Sequence, residues 1–352
     1  MNEIKRISVK GFKSIRSLVD FELRHLNVIV GANGSGKSNL MQMFEMLFAM
    51  SYGGFQKYVL ENGESNVFCY NGVKTTKEIC IRLECVKKNA PIVYELKLIP
   101  SSYRLTLQER CNANGQEGVF CSPTFESEMF ESKAIGGFPW HVYHFYDTTR
   151  LADSRASSII ENNHYLRSMG ENIAAFLLRM KKNFPWHYHD IIATVQTALP
   201  FFGDLDLSPY QAGPEAKVKL TWRQKGCDEV MLPWQLSDGS LRFICLTAAL
   251  CQPEPPELMV IDEPELGLHP EAIEILADMI ETASTRTQVI VMTQSPQLLN
   301  HFSIDDIIVA KRKDGGSTYE RLAEKDFKDW LDDYSVGELW QKNVIQGGSA
   351  NE

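Results

Sequence analysis

The chain has 352 residues, 44% of them hydrophobic, and a formal net charge of −9. That composition excludes a disordered chain, and the acidic balance excludes a protein that coats nucleic acid non-specifically, although a local basic groove stays open. It leaves enough apolar residues for one large core or two joined lobes.

No run approaches the ~20 apolar residues that span a bilayer. The longest, LRFICLTAALC (241–251), is short and carries Arg242, and the start MNEIKRISVKGF lacks the apolar stretch of a secretion signal. A cytoplasmic protein is expected. The eight cysteines, at 69, 80, 85, 111, 121, 227, 245 and 251, form no CxxC pair and no zinc pattern, which predicts reduced thiols.

In chain order, IKRISVKGF and NVIVGANG read as strands, the second short, buried and ending in glycine. Between it and a helix over 38–50 lies GANGSGKS, which fits the phosphate-loop pattern G-x-x-x-x-G-K-[ST] in its expected strand-to-helix setting. Gly31, Ala32, Asn33, Gly34, Ser35, Gly36, Lys37, Ser38 and Asn39 are the predicted nucleotide contacts. Backbone N–H groups and the helix dipole cradle phosphate, Lys37 reaches the β- and γ-phosphates, and Ser38 can hold Mg²⁺. Residues 67–108 then alternate with period two, as an antiparallel meander does, and 111–139 read as loop.

Helices are expected over 171–184 and 189–199, and a hairpin over AKVKLTWRQ and DEVMLPW. From there the pattern alternates strand and helix: ELMVIDEP, PEAIEILADMIETA, TQVIVMTQS, SIDDIIVAKR. This predicts a parallel sheet flanked by helices. ELMVIDEPE (257–265) ends in two carboxylates, a weak sign alone and a strong one beside a phosphate loop: Asp262 for the metal's water shell, Glu263 as general base. LSDGS (236–240) places Ser237, Asp238, Gly239 and Ser240 at a helix start, where unpaired N–H groups suit an anion. No heptad repeat or coiled coil is present.

In this order the motifs resemble those of an ATP-binding-cassette ATPase: phosphate loop, LSDGS as signature, VIDEPE as carboxylate strand. ELGLHP, with His269, is similar to the loop that follows, and Gln294 of TQSP stands where the family has a switch histidine. The resemblance implies an ATPase that uses ATP and Mg²⁺, with Lys37, Glu263 and Gln294 catalytic. It also implies that the signature acts in trans, so that two chains sandwich ATP as a two-fold dimer.

IKRISVKGFKSIRSLVDFEL before LNVIVGANGSGKSNLMQMFEML is similar to the opening of the RecF/SMC/OLD group. WHVYHFYDTTR (140–150), YLRSMGENIAAFL (165–177) and DDYSVGELWQKNVIQGG (332–348) resemble a bacterial family of ATPases in DNA-related and defence systems. The resemblance implies an α/β P-loop head in three parts: an N-terminal ATPase lobe (1–108), a compact, partly helical insertion (109–215) and a C-terminal ATPase lobe (216–352). It also implies DNA or a nuclease effector as partner. Only 58 residues follow Gln294, too few for a nuclease domain of its own, so a separate effector is expected.

Two departures matter: Gln294 stands at the switch position, and no coiled-coil insertion separates the two halves. Gln294 cannot titrate near neutral pH, so slow or partner-dependent hydrolysis is expected. No residue is clearly the glutamine that links the ATP site to the insertion; His144 or Asp147 could substitute or could be packing residues. Lys13 and Arg16 could reach phosphate or be solvated charges. Direct DNA binding by a stand-alone RecF-like repair ATPase is the alternative function, and a membrane partner is not expected.

Overall fold

The computed structural model describes residues 3–87, 90–113, 121–127 and 140–345. The loop expected over 111–139 lies mostly outside these residues, as does the end of the 332–348 stretch. The chain forms two compact units, both discontinuous in sequence. One comprises Met1–Val142, Pro256–Val260 and Ser284–Glu352; the other comprises Tyr143–Pro255 and Ile261–Ala283.

The first unit holds one sheet and most of a second. Strands β1 (Glu3–Phe12), β2 (Ile15–Glu22), β4 (Ile79–Lys87), β5 (Ala90–Ser101) and β6 (Arg104–Ala113) form an antiparallel sheet in the order β2-β1-β4-β5-β6. The alternation is plain in β4, where Ile79, Ile81, Leu83 and Cys85 are buried and Arg82 between them is exposed. β6 continues to Ala113, so the sheet extends past residue 108 and takes in residues the sequence assigned to loop.

The second sheet has the order β17-β16-β3-β15-β14-β7: β17 is Gly316–Arg321, β16 Ile307–Lys313, β3 Leu26–Val30, β15 Gln288–Thr293, β14 Leu258–Asp262 and β7 Trp140–Tyr143. β3 pairs parallel with both β15 and β16, and β17 adds an antiparallel edge. LNVIV and QVIVMT are buried at every position. Such largely apolar, fully buried runs are what a parallel strand covered on both faces requires.

Helix α1 (Lys37–Ser51) follows β3 and sends Leu40, Met43, Phe44, Met46, Leu47 and Met50 into a core shared with both sheets. Each fully buried side chain of this kind stabilises by roughly 1.5–3 kcal/mol. Three short helices at 55–61, 64–68 and 72–75 follow, so the meander expected from residue 67 begins only at Ile79.

The second unit contains α2 (Ile173–Asn183), α3 (Pro185–Ala198), α4 (Asp238–Leu250) and nearly all of α5 (Pro270–Ser284). Pro185 sits in the first turn of α3, where its missing N–H is harmless, so the helix starts four residues before the expected 189. α4 is buried at every position from Ser240 to Leu250.

The expected 216–234 hairpin is split. AKV lies in β11 (Glu215–Val218), which pairs with β8 (Ser158–Ile159) and β10 (Tyr210–Ala212). TWRQ forms β12 (Thr221–Gln224), between β9 (Phe202–Asp206) and β13 (Val230–Met231). Val218, Leu220 and Trp222 are all buried, and the period-two pattern continues through the break; the sequence therefore hid it. Among the described residues there is no coiled coil, and no helix is long and apolar enough to cross a membrane.

Candidate nucleotide site

The phosphate loop leaves β3 at Val30 and enters α1 at Lys37. Gly34 and Gly36 hold φ of +83° and +109°, the left-handed conformation that glycine adopts without strain. Gly36 is also held from outside the loop. Its carbonyl accepts from the Tyr319 hydroxyl at 2.8 Å, and a Cβ there would lie 2.1 Å from Ser317 Oγ. Ser317 and Ser14 hydroxyls meet at 2.6 Å, and Asn39 Nδ2 donates to Ser14 Oγ at 2.6 Å.

Lys37 is buried, and its ammonium donates to the carbonyls of Gly31 at 2.5 Å and Ala32 at 3.1 Å. The helix ladder begins at Asn39 N–H, bonded to Gly36 O at 3.1 Å. The N–H groups of Gly36, Lys37 and Ser38 therefore precede it, at the positive end of the dipole. The Ser35 hydroxyl is buried without a protein partner among the described residues, and a Cβ on Gly34 would meet nothing within 4 Å. An ammonium, hydroxyls and N–H groups around an open face fit a polyphosphate. Ser38, at the start of α1, is exposed, and its hydroxyl is a hard oxygen donor of the kind Mg²⁺ takes.

Gln294, the residue after β15, donates from Nε2 to Asn33 Oδ1 at 2.9 Å, which ties the switch position to the loop. Lys13 is held elsewhere. At φ 48°, its ammonium sits 4.8 Å over the Phe68 ring, and burial pushes its pKa down despite the nearby Glu45 carboxylate. Arg16 is exposed.

In the second unit, Asp262 ends β14 and Glu263 follows with φ 41°. A non-glycine residue in that region costs of order 1–3 kcal/mol and persists only where its surroundings enforce it, a feature concentrated at functional sites. Its carbonyl accepts from Leu266 N–H at 3.2 Å in a tight turn. His269 is exposed, and its carbonyl opens α5 by accepting from Ala272 at 2.9 Å and Ile273 at 3.1 Å.

The signature turn caps α4. Ser237 Oγ accepts from Ser240 N–H at 3.1 Å and meets Ser240 Oγ at 2.7 Å, while Ser237 and Asp238 stay exposed. Gly239 presses on the loop that follows the carboxylates, where a Cβ would lie 2.4 Å from Gly267 O.

Two buried arginines that the sequence reading left unassigned brace this region, Arg155 at the signature turn and Arg242 at the loop after the carboxylates. Arg242 donates to Phe145 O at 2.6 Å, to Tyr146 O at 3.1 Å and to Leu266 O, and desolvation pushes its pKa down. Arg155 donates to Thr148 O at 2.9 Å, to Leu236 O at 3.1 Å, to Pro233 O and to Asp238 Oδ1 at 2.8 Å. A charge inside the apolar run LRFICL was the one available signal, since a buried guanidinium needs several acceptors. His144 is buried, with Nδ1 2.8 Å from the Tyr146 hydroxyl, and Asp147 Oδ1 accepts from Thr149 N–H and Oγ1. Among the described residues no cluster of three His, Cys, Asp or Glu side chains could hold a metal.

The chain has the α/β P-loop fold that SMC head domains share. The solved SmcHead bound to the C-winged helix domain of ScpA superposes with a TM-score of 0.63 at 19% identity, over 92% of this chain and 99% of that one. The Smc head domain with an extended coiled coil, bound to the C-terminal domain of ScpA derived from Pyrococcus furiosus, gives 0.61 at 17%, over 94% and 99%. In sequence, 56 residues are 39% identical to structural maintenance of chromosomes protein 3 of Saccharomyces cerevisiae (strain ATCC 204508 / S288c). That stretch is 15% of this chain and only 5% of the yeast protein. Residues 26–300 match the family described as AAA domain, putative AbiEii toxin, Type IV TA system. The chain belongs to that family.

Proposed function

We propose that the protein is a molecular switch that binds and hydrolyses ATP and closes as a two-fold dimer around it, serving as the regulatory ATPase of a DNA-related or anti-phage defence complex with a separate effector such as a nuclease. The carrying observation is the start of α4: Ser237 and Asp238 stand exposed on a helix otherwise buried from Ser240 to Leu250. An exposed, glycine-containing helix start is suited to a phosphate brought by another chain. The family's toxin–antitoxin description agrees with a defence role.

In this reading Lys37 and the N–H groups ahead of Asn39 bind the β- and γ-phosphates. Ser38 and Asp262 are the residues that would hold Mg²⁺, which would supply positive charge against the developing phosphate charge. Glu263 takes the proton from the attacking water, and Gln294, tethered to Asn33, orients it by an amide hydrogen bond. Differential affinity of open and closed states for the effector performs the work.

Direct DNA binding is the second reading, and one observation favours it. A groove of about 390 Å³ on the β1/β2/β4/β5/β6 sheet carries Lys10, Arg82, Lys97 and Arg110 beside apolar residues such as Leu18, Val19 and Ile81. Glu95, which pairs with both arginines, reduces its charge.

Light-scattering mass of Glu263→Gln with and without ATP and Mg²⁺ tests the switch. ATP should double the mass, and adding Ser237→Arg should abolish the doubling. A chain that stays monomeric with ATP overturns the sandwich.

A further inference from the structure

Asp238 is a carboxylate in the turn that must receive a polyphosphate. At the first position of α4 it suits the helix dipole, but it repels any incoming anion. The structure answers that conflict with Arg155, whose side chain is 4% exposed against 70% for Asp238. The guanidinium is fixed at both ends. Thr148 O anchors it in its own segment, Pro233 O and Leu236 O bracket the approach to the signature, and Nη2 reaches Asp238 Oδ1 at 2.8 Å. All these groups belong to the second unit.

We propose that Arg155 is a positioning residue of the signature, compensating and tethering the Asp238 carboxylate so that the start of α4 can accept the γ-phosphate held by a second copy of the chain. The proposal rests on the trans-signature reading above. Arg155 touches no reacting atom; it acts through Asp238. With the pair intact, the Asp238 charge is offset by the guanidinium. With Arg155 uncharged, an exposed carboxylate faces the incoming triphosphate, and like charges this close oppose association.

The test uses the full chain in the Glu263→Gln background, reading the ATP concentration that gives half-maximal dimer in the presence of Mg²⁺. Arg155→Gln should raise that concentration about tenfold or more. Adding Asp238→Asn should restore it to within about threefold of the parent, because the unpaired charge is gone. Arg155→Lys, which keeps the charge and loses the fork, should fall between.

A purely structural arginine predicts the opposite: removing Asp238 would restore nothing, since the Pro233 and Leu236 carbonyls would still lack their donor. That result overturns the proposal, as does an Arg155→Gln protein that dimerises like the parent. Should Arg155→Gln fail to fold by circular dichroism, Asp238→Asn alone decides. It should lower the ATP requirement; an increase overturns the proposal. A parent that never dimerises with ATP refutes the sandwich itself and the proposal with it, whereas a dimerising parent without the rescue refutes the proposal alone.

Discussion

At the scale of single residues, His141 shows how burial writes pH dependence into the fold. It is 6% exposed, packs 5.1 Å from the Phe48 ring, and burial pushes its pKa down to about 4 from an ordinary 6.5. Between those values the unfolded chain takes up a proton that the folded chain refuses. The stability from burying a neutral imidazole is fully present above pH 6.5 and is lost as pH falls toward 4, by roughly 2 kcal/mol between pH 7 and 5. The fall in thermal midpoint between pH 7 and pH 5 should be smaller in His141→Asn than in the wild type; equal falls would place the responsible proton elsewhere. The phosphate-loop motif was legible in GANGSGKS because its chemistry is contiguous. Its supports were not, since Ser317 meets Ser14 from 303 positions away and Tyr319 meets Gly36 from 283. Arg155 was equally hidden, 81 positions before the Leu236 carbonyl it holds.

Among elements, the short helix Val336–Gln341 is tightly constrained. Ser335 and Glu338 form its capping box, and Val336, Gly337 and Leu339 are buried. Gly337 donates its N–H to Asn300 Oδ1 at 2.7 Å, and a Cβ there would lie 2.0 Å from the Pro296 carbonyl. This helix therefore sits on the turn Pro296–Leu299, two residues past Gln294. Gly337→Ala must push the two apart, at a cost of about 1–3 kcal/mol. Hydrogen exchange over 336–345 should accelerate in that variant, with β3 and β15 unaffected; unchanged exchange would show that the contact is looser than described. The sequence left open whether SVGELWQKN packs on the lobe or docks a partner, because an amphipathic pattern does not say what covers its apolar face. Long strands and helices were legible by period; the small sheets of the second unit, built from strands of two to five residues, carry too few repeats to show their partners.

For the molecule as a whole, all eight cysteines are free thiols. Burial pushes the thiol pKa of Cys69 up to about 11 and those of Cys85 and Cys245 to about 12, the last two also shifted by nearby charges. Because the thiolate is the nucleophile, these three, spread over both compact units, should resist iodoacetamide at pH 8 in the folded protein and react once it unfolds. Peptide mass spectrometry reads the pattern. Native labelling of Cys245 as fast as that of Cys227 would mean that α4 opens readily.

The discontinuity of the first unit has a consequence for biosynthesis. β3, the strand that launches the phosphate loop, pairs Asn27 with Ile290 and Val28 with Ile307. At roughly 5–20 residues per second, LNVIV leaves the ribosome roughly 13–50 s before its neighbour β15 is made. An apolar strand with open edges must wait that long, which makes nucleotide binding one of the last abilities the chain acquires.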